Sequence, residues 1–496
     1  MRLSELARGV PGAAVRRGPD YEVERVLQDS REARPGDLFV ALKGITVDGH
    51  DFAARAAQQG AAVALERDLE LGDETAVLHL DRSRWGLGEL AAELVGRPAR
   101  TLRMAGVTGT DGKTTTTHLA AHVLNCSGIE AGYLSTIDFG LGASTRHNLS
   151  GHTTIESPAL QQMLAGMREG GARAAVVEAT SHALVQDRVA ACDFDVAAVT
   201  NIGLDHLDYH HTWAAYAAAK AGLLELAAGS YAKGLPKTAV INRDDAGHET
   251  LARIPIERRW TYSLLHPGAD LSADQVREFE GGSSFRLHTP VGSARVDLRL
   301  PARFNIYNAL CAAGVGLALG ADLDAVAQGL SSFPGLPGRL EPVAVGQPFR
   351  VLIDFAHSAG ALASALAEVR RFAPGRLLVV FGASGRADHD RPGMGRAAAQ
   401  GSDFFVITTD DPVHEDPVEI ARQVQAGVGD REPGKDFEVI LDRRRAIRRA
   451  LALARPADTV LLAGKGHEQS MNFGSRREAW DERAEVEAAL REMGFA

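Results

Sequence analysis

Cysteine is scarce: Cys126, Cys192 and Cys311 are the only three among 496 residues. They are widely spaced and odd in number, with no C-x-x-C pair. This excludes a disulfide scaffold or a structural zinc module and fits a reducing compartment. Long apolar runs are missing as well. The most apolar stretch, Ala309 to Ala321, is interrupted by Gly314, Gly316 and Gly320 and falls short of the ~20 residues of a membrane span. Met1 to Leu6 mixes apolar with polar and charged side chains, unlike a secretory leader, so a cytoplasmic protein without a membrane span is expected. There is no basic excess: 54 Lys and Arg stand against 64 Asp and Glu, a net charge of −10. Such a surface repels a phosphate backbone, and nucleic acid is not an expected partner.

What is present is ordinary globular material, 45% hydrophobic and 24% charged, with no solenoid-period repeat. At roughly 150 residues per domain the length predicts about three domains. From Val10 to Leu80 short apolar runs alternate with turn signals, as in Pro35-Gly36-Asp37 before Leu38 to Leu42, the pattern of a small α/β module. Glu89 to Leu94 reads as a helix, and Gly96-Arg97-Pro98 breaks it before a strand at Leu102 to Thr108. Strands at Ala174 to Val177 and Val196 to Thr200 then alternate with helices at Thr114 to Leu124 and Ala214 to Leu226, the rhythm of a doubly wound parallel sheet. Phe333-Pro334-Gly335-Leu336-Pro337-Gly338-Arg339 cannot continue a helix and reads as a linker. Beyond it, buried-type strands at Arg350 to Ile353, Arg376 to Phe381, Phe404 to Thr408 and Thr459 to Ala463 predict a third, Rossmann-like α/β domain. The expected organisation is α/β throughout, with domains at 1–100, 101–338 and 339–496.

The strongest chemical signal is Gly109-Thr110-Asp111-Gly112-Lys113-Thr114-Thr115, where a strand gives way to a helix. Glycines let backbone N–H groups curl round phosphate oxygens and the helix N-terminus adds positive potential. Lys113 is placed for the β and γ phosphates, and Thr114 for Mg²⁺. The loop suits ATP or GTP, although Val107 stands where the commoner spelling of such loops has its first glycine. Glu178 closes a strand, and at the carboxyl edge of a parallel sheet such a carboxylate either faces the ligand crevice as an Mg²⁺ ligand or is simply a solvated strand end. His206, in the run Thr200 to His211, is a candidate partner for Glu178 on a second Mg²⁺, or part of a capped loop. Lys220 lies among small residues, Ala217, Ala218, Ala219 and Ala221. Buried there its amine would lose its charge; on a solvated face it would keep it.

These motifs, in this order, resemble the Mur ligases, and within them the members that add the third amino acid of the peptidoglycan stem peptide. The resemblance covers essentially the whole chain. It matches the phosphate loop, Glu178, the stretch Asp205 to His210 and Lys220, which the family carries as a carbamate. It extends through Phe304-Asn305-Ile306-Tyr307-Asn308, Pro337-Gly338-Arg339, Asp354-Phe355-Ala356-His357 and Ala463-Gly464-Lys465-Gly466-His467-Glu468. It implies a nucleotide-sugar-binding first domain, with Ser30 against the UDP moiety. Thr153, Thr154, Ser181, Gln186 and Arg188 would lie at positions that hold the muramoyl dipeptide. It implies Asn305, Arg339 and Asp354 on the ATP, and two Mg²⁺ sites drawing on Thr114, Glu178, His206 and the Lys220 carbamate. The implied substrates are ATP, UDP-N-acetylmuramoyl-L-alanyl-D-glutamate and a diamino acid, handled by a cytoplasmic monomer. The implied reaction is amide formation through an acyl phosphate.

The resemblance also bears on which amino acid is added. Members that add meso-diaminopimelate carry Asp-Asn-Pro-Arg, whose arginine pairs with the extra carboxylate; here the residues are Asp410-Asp411-Pro412-Val413. Valine has no donor, and an unpaired buried carboxylate is costly, so L-lysine or L-ornithine is expected instead. The acidic loop of Asp410, Asp411, His414, Glu415 and Asp416 is expected to receive the side-chain ammonium, with Arg386 on the α-carboxylate and Gly464 and Glu468 alongside. Other readings stay open: the same reaction with meso-diaminopimelate, a folylpolyglutamate synthase-like ligase, or a nucleotide-binding regulator. No Asn is followed by Lys, so the guanine-reading motif of a GTPase switch is absent.

Overall fold

The computed structural model describes residues 1–44, 47–142, 144–148, 152–205, 207–279, 281–385 and 390–495. They form two compact units. The first comprises Met1–Asp274, Arg286–Val296 and Tyr307–Ser331, the second Gln275–Phe285, Asp297–Ile306 and Ser332–Ala496. The fold is α/β, as expected. Among the described residues no helix is long and apolar enough to cross a membrane.

The first unit contains a five-stranded sheet of β1 (Ala13–Arg17), β2 (Arg25–Leu27), β3 (Asp37–Val40), β4 (Ala62–Leu65) and β5 (Val77–Leu80), ordered β1-β5-β4-β3-β2. Only β1 runs antiparallel. Leu38, Val40, Ala62 and Ala64 face one core, and Phe39, Val63 and Leu65 the other. That two-sided burial explains why these strands read as continuous apolar runs.

The second sheet of this unit carries β6 (Arg103–Thr108), β7 (Ala131–Leu134), β8 (Asp138–Leu141), β9 (Ser144–His147), β10 (Ala174–Glu178), β11 (Val196–Val199), β12 (Thr238–Asn242) and β13 (Arg258–Ser263). Their order is β13-β12-β11-β6-β10-β7-β8-β9. The strands from β13 to β7 are parallel, and β8 and β9 extend them as an antiparallel hairpin. The chain lays β7 and β10 on one side of β6 and β11 to β13 on the other. Such a divergence opens a crevice at the carboxyl ends of the central strands, here those of β10, β6 and β11. Gly106 in β6 matters for what lines it, because a Cβ there would come within 2.7 Å of Leu223 Cδ1. Glycine thus lets the helix Trp213–Gly229 lie close against β6.

Three further strands, β14 (Leu271–Phe279), β15 (Gly282–Thr289) and β16 (Gly292–Leu298), follow where the sequence reading has none. The second unit is built on β17 (Glu341–Pro342), β18 (Arg350–Asp354), β19 (Leu377–Ala383), β20 (Phe404–Thr409), β21 (Phe437–Val439) and β22 (Thr459–Ala463), ordered β17-β18-β22-β19-β20-β21. All are parallel except β17. Alternate residues feed two cores: Val379, Phe381, Phe405 and Leu461 on one face, and Leu378, Val380, Val406 and Leu462 on the other. Each such side chain contributes ~1.5–3 kcal/mol on burial, which fixes the strands whose ends carry the polar residues described next.

Candidate active site

After β6 the chain turns through Gly109, Thr110, Asp111 and Gly112 into the helix Lys113–Cys126. Gly112 has φ +81°, a left-handed conformation that costs glycine nothing. Oδ1 of Asn308 occupies the place a Cβ would take. The neighbouring strand end braces the loop. Asn201 Oδ1 accepts from the Asp111 N–H at 2.9 Å, and its amide donates to the Asp111 carbonyl at 3.0 Å. The Thr200 hydroxyl donates to that carbonyl at 2.5 Å. Thr110 Oγ1 accepts from the Gly203 N–H at 2.8 Å and lies 3.1 Å from the Tyr216 hydroxyl. Thr115 is buried in the first helical turn. The N–H groups of a helix's first turn form a ready site for an anion.

Two ammonium groups meet at one carbonyl of this loop. Lys113 Nζ donates to the carbonyls of Gly109 at 3.0 Å and Thr110 at 2.7 Å, and Lys220 Nζ donates to that of Gly109 at 2.6 Å. Lys220 is 1% exposed and its ammonium stands 4.3 Å from the centre of the Tyr216 ring. Burial, and after it the Lys113 charge, holds the Lys220 pKa well below the usual lysine value. The buried alternative for Lys220 is therefore the observed one.

Glu178, at the end of β10, is buried and gripped by three donors. Thr114 Oγ1 lies 3.1 Å from both carboxylate oxygens. The Thr136 N–H donates at 2.9 Å, and its hydroxyl lies 3.1 Å from both oxygens. A hydroxyl and a carboxylate beside a phosphate loop are hard oxygen donors of the kind Mg²⁺ takes. His206 lies outside the described residues. Beside Glu178, Thr154 Oγ1 donates to the Glu178 carbonyl at 2.9 Å. Arg188 donates to the Thr154 carbonyl and to Gln186 Oε1, both at 3.0 Å, and pairs with Glu156 at 3.0 Å. Ser181 Oγ is 3.0 Å from His210 Nε2, and Thr153 is half-buried beside Thr154. Ser30 is buried in a short turn of the five-stranded module, capped by Asp29, which accepts from the Arg31 N–H.

In the second unit Asp354 accepts from the N–H groups of Leu340 at 2.8 Å and Ala356 at 2.9 Å. The Arg339 guanidinium stands 5.2 Å from the centre of the Phe355 ring. Asn305 donates to the Pro301 carbonyl at 2.6 Å. At the ends of β20 and β22 lie Asp410, Asp411, Gly464 and Lys465. Gly464 has φ +110° and Asp410 Oδ2 fills the space of its missing Cβ. Arg386 lies outside the described residues.

The acidic loop differs from expectation. The sequence reading offers its carboxylates to a substrate ammonium, but the chain supplies its own cations. Lys465 is fully buried, with Nζ 2.8 Å from Asp411, 2.6 Å from Glu468 and 3.8 Å from Asp410. Glu415 is paired with Arg391 at 2.7 and 2.8 Å, and Asp416 caps the helix Pro417–Gln425. For the buried Asp410 and the carboxylates beside it the reason is that charge withdrawn from water needs a partner in the folded chain itself, whereas Glu415 and Asp416 lie nearer the solvent. Three carboxylates still share one ammonium. Burial pushes Glu468 up to about 7; Lys465 opposes this, and Asp410 and Asp411 add to it.

Sequence reading missed Thr136, Thr200, Asn201, Tyr216 and Asn308 as parts of this arrangement. Asn308 and the pair Thr200-Asn201 lie within motifs already singled out. Thr136 gives no local signal and reaches Glu178 because β7 pairs with β10.

Comparison with known proteins accords with this geometry. Residues 107–316 match the Mur ligase middle domain, residues 338–466 the Mur ligase glutamate ligase domain, and residues 22–79 the Mur ligase family catalytic domain. A Roseiflexus sp. (strain RS-1) protein named UDP-N-acetylmuramyl-tripeptide synthetase is 40% identical over 509 residues, covering 100% of each chain. A Geobacillus kaustophilus protein named UDP-N-acetylmuramoyl-L-alanyl-D-glutamate–2,6-diaminopimelate ligase is 39% identical over 496 residues, again covering 100% of each. A solved structure of a ligase of the latter name superposes with TM-score 0.68 at 31% identity over 96% of both chains. The Thermotoga maritima MurF ligase, solved in complex with ADP, shares the fold with TM-score 0.62 at 20% identity over 95% of this chain and 97% of its own. The chain belongs to the Mur ligase family.

Proposed function

We propose that the chain is an ATP-dependent amide ligase of peptidoglycan synthesis in the cytoplasm. It would join a diamino acid to the D-glutamate side-chain carboxylate of UDP-N-acetylmuramoyl-L-alanyl-D-glutamate. The observation that carries this reading is the convergence of Lys113 and Lys220 on the Gly109 carbonyl, one residue from the helix start that presents Thr114 to Glu178. A carboxylate must be brought against an anionic γ-phosphate, and Lys113 supplies positive charge that lowers that barrier, while burial keeps the neighbouring Lys220 amine short of charge. Thr114 and Glu178 fit a Mg²⁺ ion, which when bound would supply charge neutralisation at the phosphates.

The chain's own residues do the rest. The N–H groups at the start of the helix Lys113–Cys126, with the Lys113 side chain, hold the terminal phosphate while a carboxylate oxygen attacks phosphorus and ADP leaves. Thr154, Ser181, Gln186 and Arg188 orient the dipeptide, and Ser30 contacts the UDP part. The incoming amine then attacks the acyl carbon, phosphate departs and the amine gives up a proton. Asn305, Arg339 and Asp354 are assigned to the nucleotide, and Arg386, Asp410, Asp411, Gly464 and Glu468 to the amino acid. A Lys220 amine that stays neutral adds to CO₂ with loss of one proton, giving a carbamate that together with His206 and Glu178 would serve a second Mg²⁺. Boundaries near residues 100 and 338 belong to the same reading.

For the added residue we favour L-lysine or L-ornithine. Val413 has no hydrogen-bond donor in its side chain, and its backbone, at φ +54°, is tied to the Asn472 carbonyl at 3.0 Å. Meso-diaminopimelate is the second reading, favoured by the names of relatives such as the Geobacillus kaustophilus protein. Product formation from the UDP-muramoyl dipeptide and ATP with the three amino acids in parallel, read by mass, tests both levels. Turnover with L-lysine or L-ornithine is expected. Preferred use of diaminopimelate overturns the specificity, and no product with any of them overturns the ligase reading.

A further inference from the structure

The last carbonyls of β20 and β22 belong to Thr409 and Ala463, the residues immediately before Asp410 and Gly464. These two strands are not neighbours, since β19 runs between them. One side chain nevertheless reaches both. Arg443, at the start of the helix Arg443–Leu453, donates through its two terminal nitrogens to the Ala463 carbonyl at 2.9 Å and the Thr409 carbonyl at 3.5 Å. Its guanidinium is held from behind by Glu482 at 3.0 and 2.5 Å, and Trp480 Nε1 donates to Glu482 at 2.7 Å.

Arg443 and Glu482 are essentially without solvent exposure. A buried ion pair is a poor means of holding a core together, because the desolvation of both charges offsets most of their attraction and an apolar pair of equal volume does as well. The guanidinium does two things an apolar side chain cannot. It bonds the carbonyls next to two residues from different strands, and it sets a fixed positive charge that acts on Asp410 and Glu468.

We propose that Arg443 is a positioning residue for the incoming amino acid, fixing Asp410 and Gly464 relative to one another and limiting the negative charge that Asp410 and Glu468 present. The inference rests on the assignment of Asp410, Gly464 and Glu468 to the amino-acid site made above.

The test is the double variant Arg443→Met/Glu482→Gln in the full chain. It removes both charges together and keeps an acceptor for Trp480, so no lone buried charge remains to unfold the protein. Thermal unfolding confirms folding, and steady-state kinetics then resolve the three substrates. A misplaced binding group is expected to raise the KM for the amino acid by about tenfold or more, with the KM values for ATP and the UDP-muramoyl dipeptide within about twofold of wild type. A folded double variant with wild-type KM for the amino acid overturns the proposal.

Arg443→Lys serves if the double variant does not fold. Lysine keeps the charge on Glu482 but has no fork to span two carbonyls, so a raised amino-acid KM is again expected and an unchanged one overturns the proposal. If wild type itself turns over no amino acid, the parent assignment fails before any variant is compared. Wild-type turnover with indifferent variants removes only the role of Arg443.

Discussion

Lys220 is a side chain whose surroundings decide its chemistry. A lysine on an alanine-rich helix usually keeps its charge in water, yet here it is shut between the Tyr216 ring and the Gly109 carbonyl. Lys220→Ala is expected to fold, because it removes a group that burial disfavours, and to lose activity on the order of 10–100-fold, the usual cost of a lost metal-site partner. High formate or acetate should restore part of the rate by supplying the missing carboxylate. A variant with wild-type turnover, or one that small acids do not help, would count against the carbamate. Lys113 is legible in the sequence because its glycine loop follows a strand end, whereas Glu178 and Lys220 each admit a solvated reading and take their roles from the resemblance to the Mur ligases. Arg443 is not legible. It opens the run Arg443-Arg444-Arg445, and nothing local distinguishes the one buried arginine from Arg444, which pairs with Glu485 near the surface at 2.7 Å.

At the scale of elements, the helix Trp213–Gly229 carries Lys220 to the loop. Thr212 caps it by accepting from the Ala215 N–H at 3.1 Å. Thr212, Tyr216 and Lys220 recur every fourth residue and so share a face. Thr212→Ala should cost about 1 kcal/mol, felt first as faster amide hydrogen exchange over residues 213–216, together with a fall in activity smaller than that of Lys220→Ala. Unchanged exchange would show that tertiary packing alone sets the helix start. The buried parallel strands were readable as apolar runs. The helix Ser83–Leu94 begins earlier than its expected start at Glu89, because Gly86 and Gly88 look like breakers until they are seen to lie against Leu80 and Ala190. Strands β14 and β16 give little apolar signal because most of their residues face solvent, and β15, although largely shielded, is built mainly of polar residues and glycine.

For the molecule as a whole, the proline and glycine break near residue 338 hides a more interleaved chain. The second unit includes Gln275–Phe285 and Asp297–Ile306 besides everything from Ser332 onward. Ala302 is buried with Leu340, Leu352 and Ala356, and the Arg303 N–H donates to Glu368 at 3.2 Å. A fragment of residues 332–496 should therefore unfold at lower urea than one in which 275–306 is retained, since it exposes apolar surface worth about 25 cal/mol per Å². Equal midpoints, followed by circular dichroism, would mean the two early segments contribute nothing.

Lys465 has a further consequence for how the protein meets its surroundings. With its ammonium buried against Asp411 and Glu468, the positive charge at that sheet edge sits inside the fold, away from the ions that blanket a surface carrying a net −10. Added salt damps exposed charges far more than buried ones. Raising sodium chloride across about a tenfold range should leave the amino-acid KM within about twofold, so discrimination between similar amines would follow fit and hold steady as the cell's osmolarity drifts.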